Sequence, residues 1–167
     1  MTVSKGVTLI ELLSSIAIVA VLMLIAAPSL FSVLNTIQLE AVSNNFFTQL
    51  RTLRSSAIKT NSSVFVSFAT GSAWCYGFSS VAACACGTAG SCLYNGTAYV
   101  VTPPANQGIT MSSSTIANNF SFSPDEGIAS SSGSITFSNA SGSISVVVSP
   151  LGRVTLCSNT IAGYTGC

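Results

Sequence analysis

Apolar and polar positions divide the chain into stretches of different period. From Val7 to Ala27 the side chains are apolar except at Thr8, Glu11, Ser14 and Ser15, and from Ile16 to Ala27 the run is unbroken. A run of about 20 residues is what a helix needs to cross the hydrocarbon core of a bilayer. Pro28 follows; proline removes a backbone donor and crowds the preceding turn, which predicts a bend or a locally melted turn there. Beyond it apolar residues recur at Leu30, Leu34, Ile37, Ala41, Phe46, Leu50, Leu53 and Ala57, with Asn35, Gln38, Ser43, Gln49 and Thr52 on the other side. Steps mostly of three and four predict one helix from near Thr8 to about Lys59, its second half laying an apolar stripe on a globular head.

From Ser62 onward the pattern becomes short β-type runs separated by Gly, Ser, Pro and Asn. Candidate strands are Val64–Ala69, Trp74–Phe78, Ala98–Thr102, Asn119–Phe122, Ser134–Phe137, Ser143–Val148 and Arg153–Leu156. Ser134 to Phe137 and Ser143 to Val146 alternate polar and apolar residues, as strands with one buried face do, and Asn139-Ala140-Ser141-Gly142 between them reads as a hairpin turn. The expected fold class is α+β: a long N-terminal helix packed on a C-terminal antiparallel β-sheet head.

Composition narrows the function. The 167 residues leave room for one domain plus an extended element. Only 5% are charged, and the polarity of the later chain comes from Ser, Thr, Asn and Gly, which suits a secreted or closely packed surface. The formal net charge is +1 and there is no histidine. Such a chain lacks a broad electrostatic footprint for nucleic acid and nearly lacks the usual catalytic acids and bases, so the expectation is no enzyme and no cofactor. Arg51, Arg54 and Lys59 cluster near the expected helix end, where cations complement the helix dipole; a basic patch for a partner is the other reading.

Six cysteines, Cys75, Cys84, Cys86, Cys92, Cys157 and Cys167, all follow the apolar block. An even count in that region points to disulfides and an oxidising compartment. Without histidine or a C-x-x-C pair, a metal site is not expected. Cys157 and Cys167 can close a small C-terminal loop, and the other four can form two local bridges across an excursion poor in core residues. A direct Cys84–Cys86 bridge is disfavoured by geometry.

The N-terminal segment differs from a secretory signal peptide, which places its small cleavage residue after the apolar run; here Gly6 precedes it. Lys5, just ahead, keeps that end on the cytoplasmic side of a membrane. Glu11 is an ionisable group inside the apolar segment, where a lone carboxylate costs about 3 kcal/mol and calls for a partner or a role.

Gly6-Val7-Thr8-Leu9-Ile10-Glu11-Leu12-Leu13 resembles the signal of type IV prepilins and type II secretion pseudopilins. The resemblance implies cleavage between Gly6 and Val7 by prepilin peptidase, methylation of the new Val7 amine, and pairing of Glu11 with the amine of a neighbouring subunit. It also implies a helix-loosening role for Pro28 in assembly. The family more often has Phe or Met where this chain has Val7. Later features are similar to the H-type pseudopilin and FimT/FimU minor pilin group: Leu50 to Lys59 before Val64, Trp74 with Gly77, Phe122-Ser123-Pro124 with Gly127, and Gly152-Arg153-Val154 leading to Cys157.

The implied organisation is a leader peptide at 1–6, a transmembrane and filament-core helix at 7–33, an amphipathic helix at 34–61 and a disulfide-bonded β-rich head at 62–167. The implied partners are other pilin subunits, prepilin peptidase and the inner-membrane assembly platform. The implied location is the bacterial inner membrane with the head in the periplasm, then a pilus or pseudopilus. Some FimT-like pilins bind DNA through Gly-Arg-x-Arg. The matching Gly152-Arg153-Val154-Thr155 keeps only the first arginine, so Arg153 is the candidate DNA contact and Thr155 counts against that partner; the two local roles open to Arg153 are capping a turn and meeting Asp125 or Glu126.

Overall fold

The computed structural model describes residues 8–105 and 108–167, and the side chains of all of these but 24–29. Helix α1 (Leu9–Thr60) starts where the carbonyl of Thr8 accepts the amides of Glu11 and Leu12, both at 3.1 Å. The main chain stays helical through Pro28, so the melted turn expected there is absent. The chain divides into two compact units, one ending at Leu34 and the other Asn35–Cys167.

In the first unit the described apolar side chains from Leu9 to Met23 stand out into the surroundings, Leu9 being 76% exposed and Met23 66%. The hydroxyls of Ser14 and Ser15 donate back to the carbonyls of Glu11 and Leu12 at 3.0 and 2.8 Å. Both polar groups are thereby satisfied within the helix, which removes their objection to an apolar environment. Among the described residues no helix is long and apolar enough to cross a membrane.

The second unit holds the core. Strands β1 (Val64–Ala69), β2 (Cys75–Ser79), β5 (Val100–Val101) and β7 (Asn119–Phe122) form one antiparallel sheet in the order β5-β2-β1-β7. Strands β6 (Thr110–Ser114), β8 (Gly133–Asn139), β9 (Gly142–Val148) and β10 (Val154–Cys157) form a second in the order β10-β9-β8-β6. A small ribbon pairs β3 (Leu93–Tyr94) with β4 (Thr97–Ala98). The β8–β9 hairpin turns at Ala140-Ser141, where the Asn139 side chain accepts the Ser141 amide at 2.9 Å. Asn139 also donates to the carbonyl of Asn35 at 2.8 Å, tying the hairpin tip to the helix.

Phe46 of α1 joins both sheets to the helix, its ring 4.7 Å from Tyr76 of β2 and 5.6 Å from Phe137 of β8. Trp74 stacks on Tyr76 and donates from its indole nitrogen to the Ile109 carbonyl at 2.9 Å. Burial pushes the Tyr76 phenol well above its usual range, with Tyr99 adding to the effect and the Gln49 hydrogen bond opposing it. This aromatic centre therefore carries no charge at ordinary pH.

The buried helix face differs from the expected one. It is Leu39, Ser43, Phe46, Leu50, Leu53 and Ala57, whereas Leu34, Ile37 and Ala41 are exposed. Counting back from Phe46 in steps of three and four reaches Ser43 and Leu39, while the step of five from Ala41 to Phe46 crosses to the other side of the helix. Ser43 is thus a core position, and its hydroxyl is buried without a hydrogen-bond partner. Ser43→Ala is accordingly expected to be neutral or to stabilise by about 1 kcal/mol, because a buried unpaired hydroxyl bears a desolvation cost. Denaturant midpoints of the two chains measure it, and a clear loss of stability would show that the hydroxyl has a partner.

Two strand expectations also change. The segment expected as Ala98–Thr102 splits into β4 and β5, which pair with different strands. Strands β3 and β6 were not anticipated; β6 has the sequence Thr-Met-Ser-Ser-Ser, with Met111 its only large apolar residue.

Candidate functional site

Gly6 and Val7, the expected processing residues, lie outside the described residues. Glu11 stands in the first turn of α1 with its side chain exposed among Leu9, Ile10, Leu12 and Leu13. A carboxylate there complements the positive end of the helix dipole. Among the described residues no cation pairs with it, so within this chain the dipole is its only described compensation.

The other candidate surface is built where three distant segments meet. Arg54, from the buried side of α1, donates through Nε to the carbonyl of Gly127 at 3.1 Å. Its terminal nitrogen donates to the carbonyls of Glu126 at 3.2 Å and Leu151 at 3.1 Å. Gly127 and Gly152 both have positive φ, +66° and +70°. A Cβ on Gly152 would lie 1.8 Å from the Gly127 carbonyl oxygen, and one on Gly127 would lie 2.8 Å from Arg54 Cγ. Both positions need glycine because backbone and arginine cross there with no room for a side chain. This replaces the helix-dipole account of Arg54. Arg51 is nine positions before the end of α1, beyond the last turn where the dipole acts, leaving Lys59 as the cation that fits that role.

Arg54→Ala should therefore destabilise the head by about 2–3 kcal/mol, since three carbonyls lose a charged donor. Lysine should restore only part of this, lacking the planar fork. Thermal or denaturant unfolding of the three chains provides the comparison; equal stability of wild type and alanine variant would contradict the role.

Arg153 follows the same crossing. The Ser149 carbonyl accepts the Gly152 amide at 2.9 Å, and Ser149 exchanges further bonds with the Arg153 main chain. The Arg153 side chain is exposed and forms no ion pair with Asp125 or Glu126 among the described residues, so of the two local roles expected for it only the main-chain turn is present. Beside it lies a cleft of about 540 Å³ lined by Arg51, Arg54, Ser55, Ile58 and residues 152–155. A second hollow of similar size shares Arg51 and Ser55 and adds Lys59. The Arg51 guanidinium lies 5.3 Å from the ring centre of Phe47, a cation–π contact that steadies it.

All six cysteines are bridged, as Cys75–Cys86, Cys84–Cys92 and Cys157–Cys167, with Cα separations of 5.7, 5.1 and 5.1 Å. The first two staple the excursion after β2, and the third closes the C-terminal loop. Gly77 permits this arrangement: a Cβ on it would lie 2.5 Å from Cys92 Sγ. Sequence reasoning singled out Arg54 only as a cation near the helix end and missed its three carbonyl contacts. The paired Gly127 and Gly152 hinted at a close backbone approach, but nothing in the sequence said what approached.

Residues 29–152 match the sequence model of the type II transport protein GspH, and residues 1–27 match the prokaryotic N-terminal methylation motif. No curated protein matches the sequence. The fold is similar to the crystal structure of the type IV minor pilin FimU of Pseudomonas aeruginosa strain PAO1, with a TM-score of 0.52 and 12% identity, covering 72% of this chain and 89% of that one. With the GspH model spanning most of its length behind a methylation motif, the chain belongs to the GspH family and is a subunit of the minor pilin and pseudopilin class.

Proposed function

We propose that this chain is a minor pilin, a structural subunit of a type IV pilus acting in its tip or priming complex, and not an enzyme. The observation that carries the proposal is the helix from Leu9 to Met23, whose apolar side chains all face outward within the stretch that matches the methylation motif. In water that surface would be costly, at about 25 cal/mol per Å² of apolar area. A bilayer and then a bundle of like helices are the two environments that cover it.

In this account prepilin peptidase cuts after Gly6 and methylates the Val7 amine. The chain waits in the inner membrane with residues 34–167 in the periplasm, where the cysteines oxidise. The assembly platform then draws it into the filament, where Glu11 meets a neighbour's amine and Pro28 marks the turn at which the helix can loosen. Residues 7–33 serve as stem, and the β-rich portion from residue 62 is displayed.

The GspH match favours a second reading, the H-type pseudopilin of a type II secretion system. Deletion of the chain separates the two. Loss of pili or twitching with normal exoprotein secretion supports the minor pilin. A secretion defect with normal pili supports the pseudopilin, and no change in either would overturn both. Recovery in bulk from sheared pili would instead identify a major subunit.

A further inference from the structure

We propose that the cleft between α1 and edge strand β10 receives an extended acidic polypeptide segment, which adds to β10 as a further strand and sets its carboxylates against Arg51 and Arg153.

The open edge is the first ground. Strand β10 is the end strand of its sheet, bonded only to β9. The Ser149 amide bonds the Arg153 carbonyl at 2.9 Å, and the register continues through Thr155 opposite Val147 and Cys157 opposite Ser145. Antiparallel ladders alternate, so the main-chain groups of Val154 and Leu156 face away from β9. The Leu156 carbonyl accepts the Thr165 hydroxyl at 3.4 Å. Among the described residues nothing meets the Val154 amide or carbonyl. Val154 is largely buried but lines the cleft, and an unpaired strand edge of this kind is a template for an added strand.

Charge is the second ground. The chain has five cations, and Arg51, Arg54, Lys59 and Arg153 all line this cleft or the hollow beside it. Arg54 is spent on three carbonyls, but Arg51 is held in place by Phe47 and Arg153 is exposed. No acidic side chain lines either hollow, and among the described residues none pairs with these cations. In a chain with so few charges, such a concentration without internal partners calls for an anion from outside. Ser55 and Thr155 add hydroxyls and Ile58 an apolar surface, so the occupant is matched along its length rather than at one point.

These features favour polypeptide over duplex DNA. A phosphate backbone offers acceptors only and cannot answer the Val154 carbonyl, while two or three available cations make a small footprint for nucleic acid. On a strand, side chains on one face are two residues apart. The matching segment should therefore carry Asp or Glu at i and i+2. The inference does not depend on whether the filament is a pilus or a secretion pseudopilus.

The test uses the full chain in detergent micelles, titrated with a fluorescent peptide alternating Glu with Val and Thr and read by anisotropy. Saturable binding is expected, weakened about tenfold by Arg51→Ala or Arg153→Ala, the scale of one charge-assisted hydrogen bond. Unchanged unfolding midpoints establish that those variants remain folded. The same peptide N-methylated at alternate amides, which keeps its charge and blocks strand pairing, should not bind. Absence of binding at low salt, equal binding of the N-methylated peptide, or tighter binding of a short DNA duplex with the same arginine dependence would each overturn the proposal.

Discussion

Replacing Glu11 by leucine is expected to reduce incorporation of the chain into filaments by tenfold or more while leaving its amount in the membrane unchanged. Glu11 is surrounded on its helix by exposed Leu9, Ile10, Leu12 and Leu13, so its carboxylate must enter whatever apolar environment covers them. A carboxylate there costs about 3 kcal/mol, and a leucine would be favoured in its place. Failure of Glu11→Leu to assemble could not then be blamed on poorer insertion. It would identify the carboxylate as the group that a neighbour's positive amine requires, in surroundings where an ion pair is strengthened by the low dielectric. Glu11→Gln should fail in the same way, since it keeps the shape and loses the charge. Immunoblots of sheared filaments against membranes measure the ratio, and normal incorporation of either variant would contradict the assembly role.

Gly152→Ala is expected to destabilise the head by about 3 kcal/mol or more, lowering its melting temperature by roughly 6–12 °C. Part of the cost is conformational: a φ of +70° asks an L side chain to enter a region disfavoured by about 1–2 kcal/mol. The rest is steric. The added Cβ would lie 1.8 Å from the Gly127 carbonyl oxygen, the same oxygen that accepts Arg54 Nε, so making room disturbs the Arg54 crossing. Gly163→Ala separates the two contributions, because Gly163 also has positive φ, +93°, with open space where its Cβ would go. The Gly152 variant should therefore melt well below the Gly163 variant. Equal melting temperatures would mean that backbone conformation alone sets the cost and that the close approach is unimportant.

How far the sequence revealed this depended on how local each signal was. Strand β1 was legible because Val64-Phe65-Val66 and Phe68 are β-formers in one run, and β7 because Phe120 and Phe122 alternate with polar residues. The β8–β9 hairpin was legible because its turn and both alternating strands are contiguous. Strand β6 was not, since it is held by pairing with β8 and by Met111 alone, which are non-local facts. The β3–β4 ribbon had a readable signal in Asn95-Gly96, both with positive φ, the residues favoured in a tight hairpin turn. The helix was clear in extent and wrong in phase, because apolar residues occupy both its faces: Ile37 and Ala41 exposed, Leu39 buried.

The candidate sites divide in the same way. Gly6, Val7 and Glu11, the proposed processing and assembly residues, are legible because they belong to one contiguous sequence motif. The Arg54 crossing joins residues about 70 and 100 positions apart, and only the fold brings them together. Arg153 was noticed for its sequence context, but its surroundings, an open strand edge and a second arginine on α1, could not be seen before the sheets were placed.

The central claim, that this chain is a processed filament subunit, is tested most directly by intact mass measurement of the chain recovered from sheared, purified filaments. The account predicts a chain beginning at Val7, carrying one methyl group on its amine and three intact disulfides, in trace amounts beside a bulk subunit. A chain that still begins at Met1 and stays in the cell envelope, absent from filaments of either kind, would contradict it.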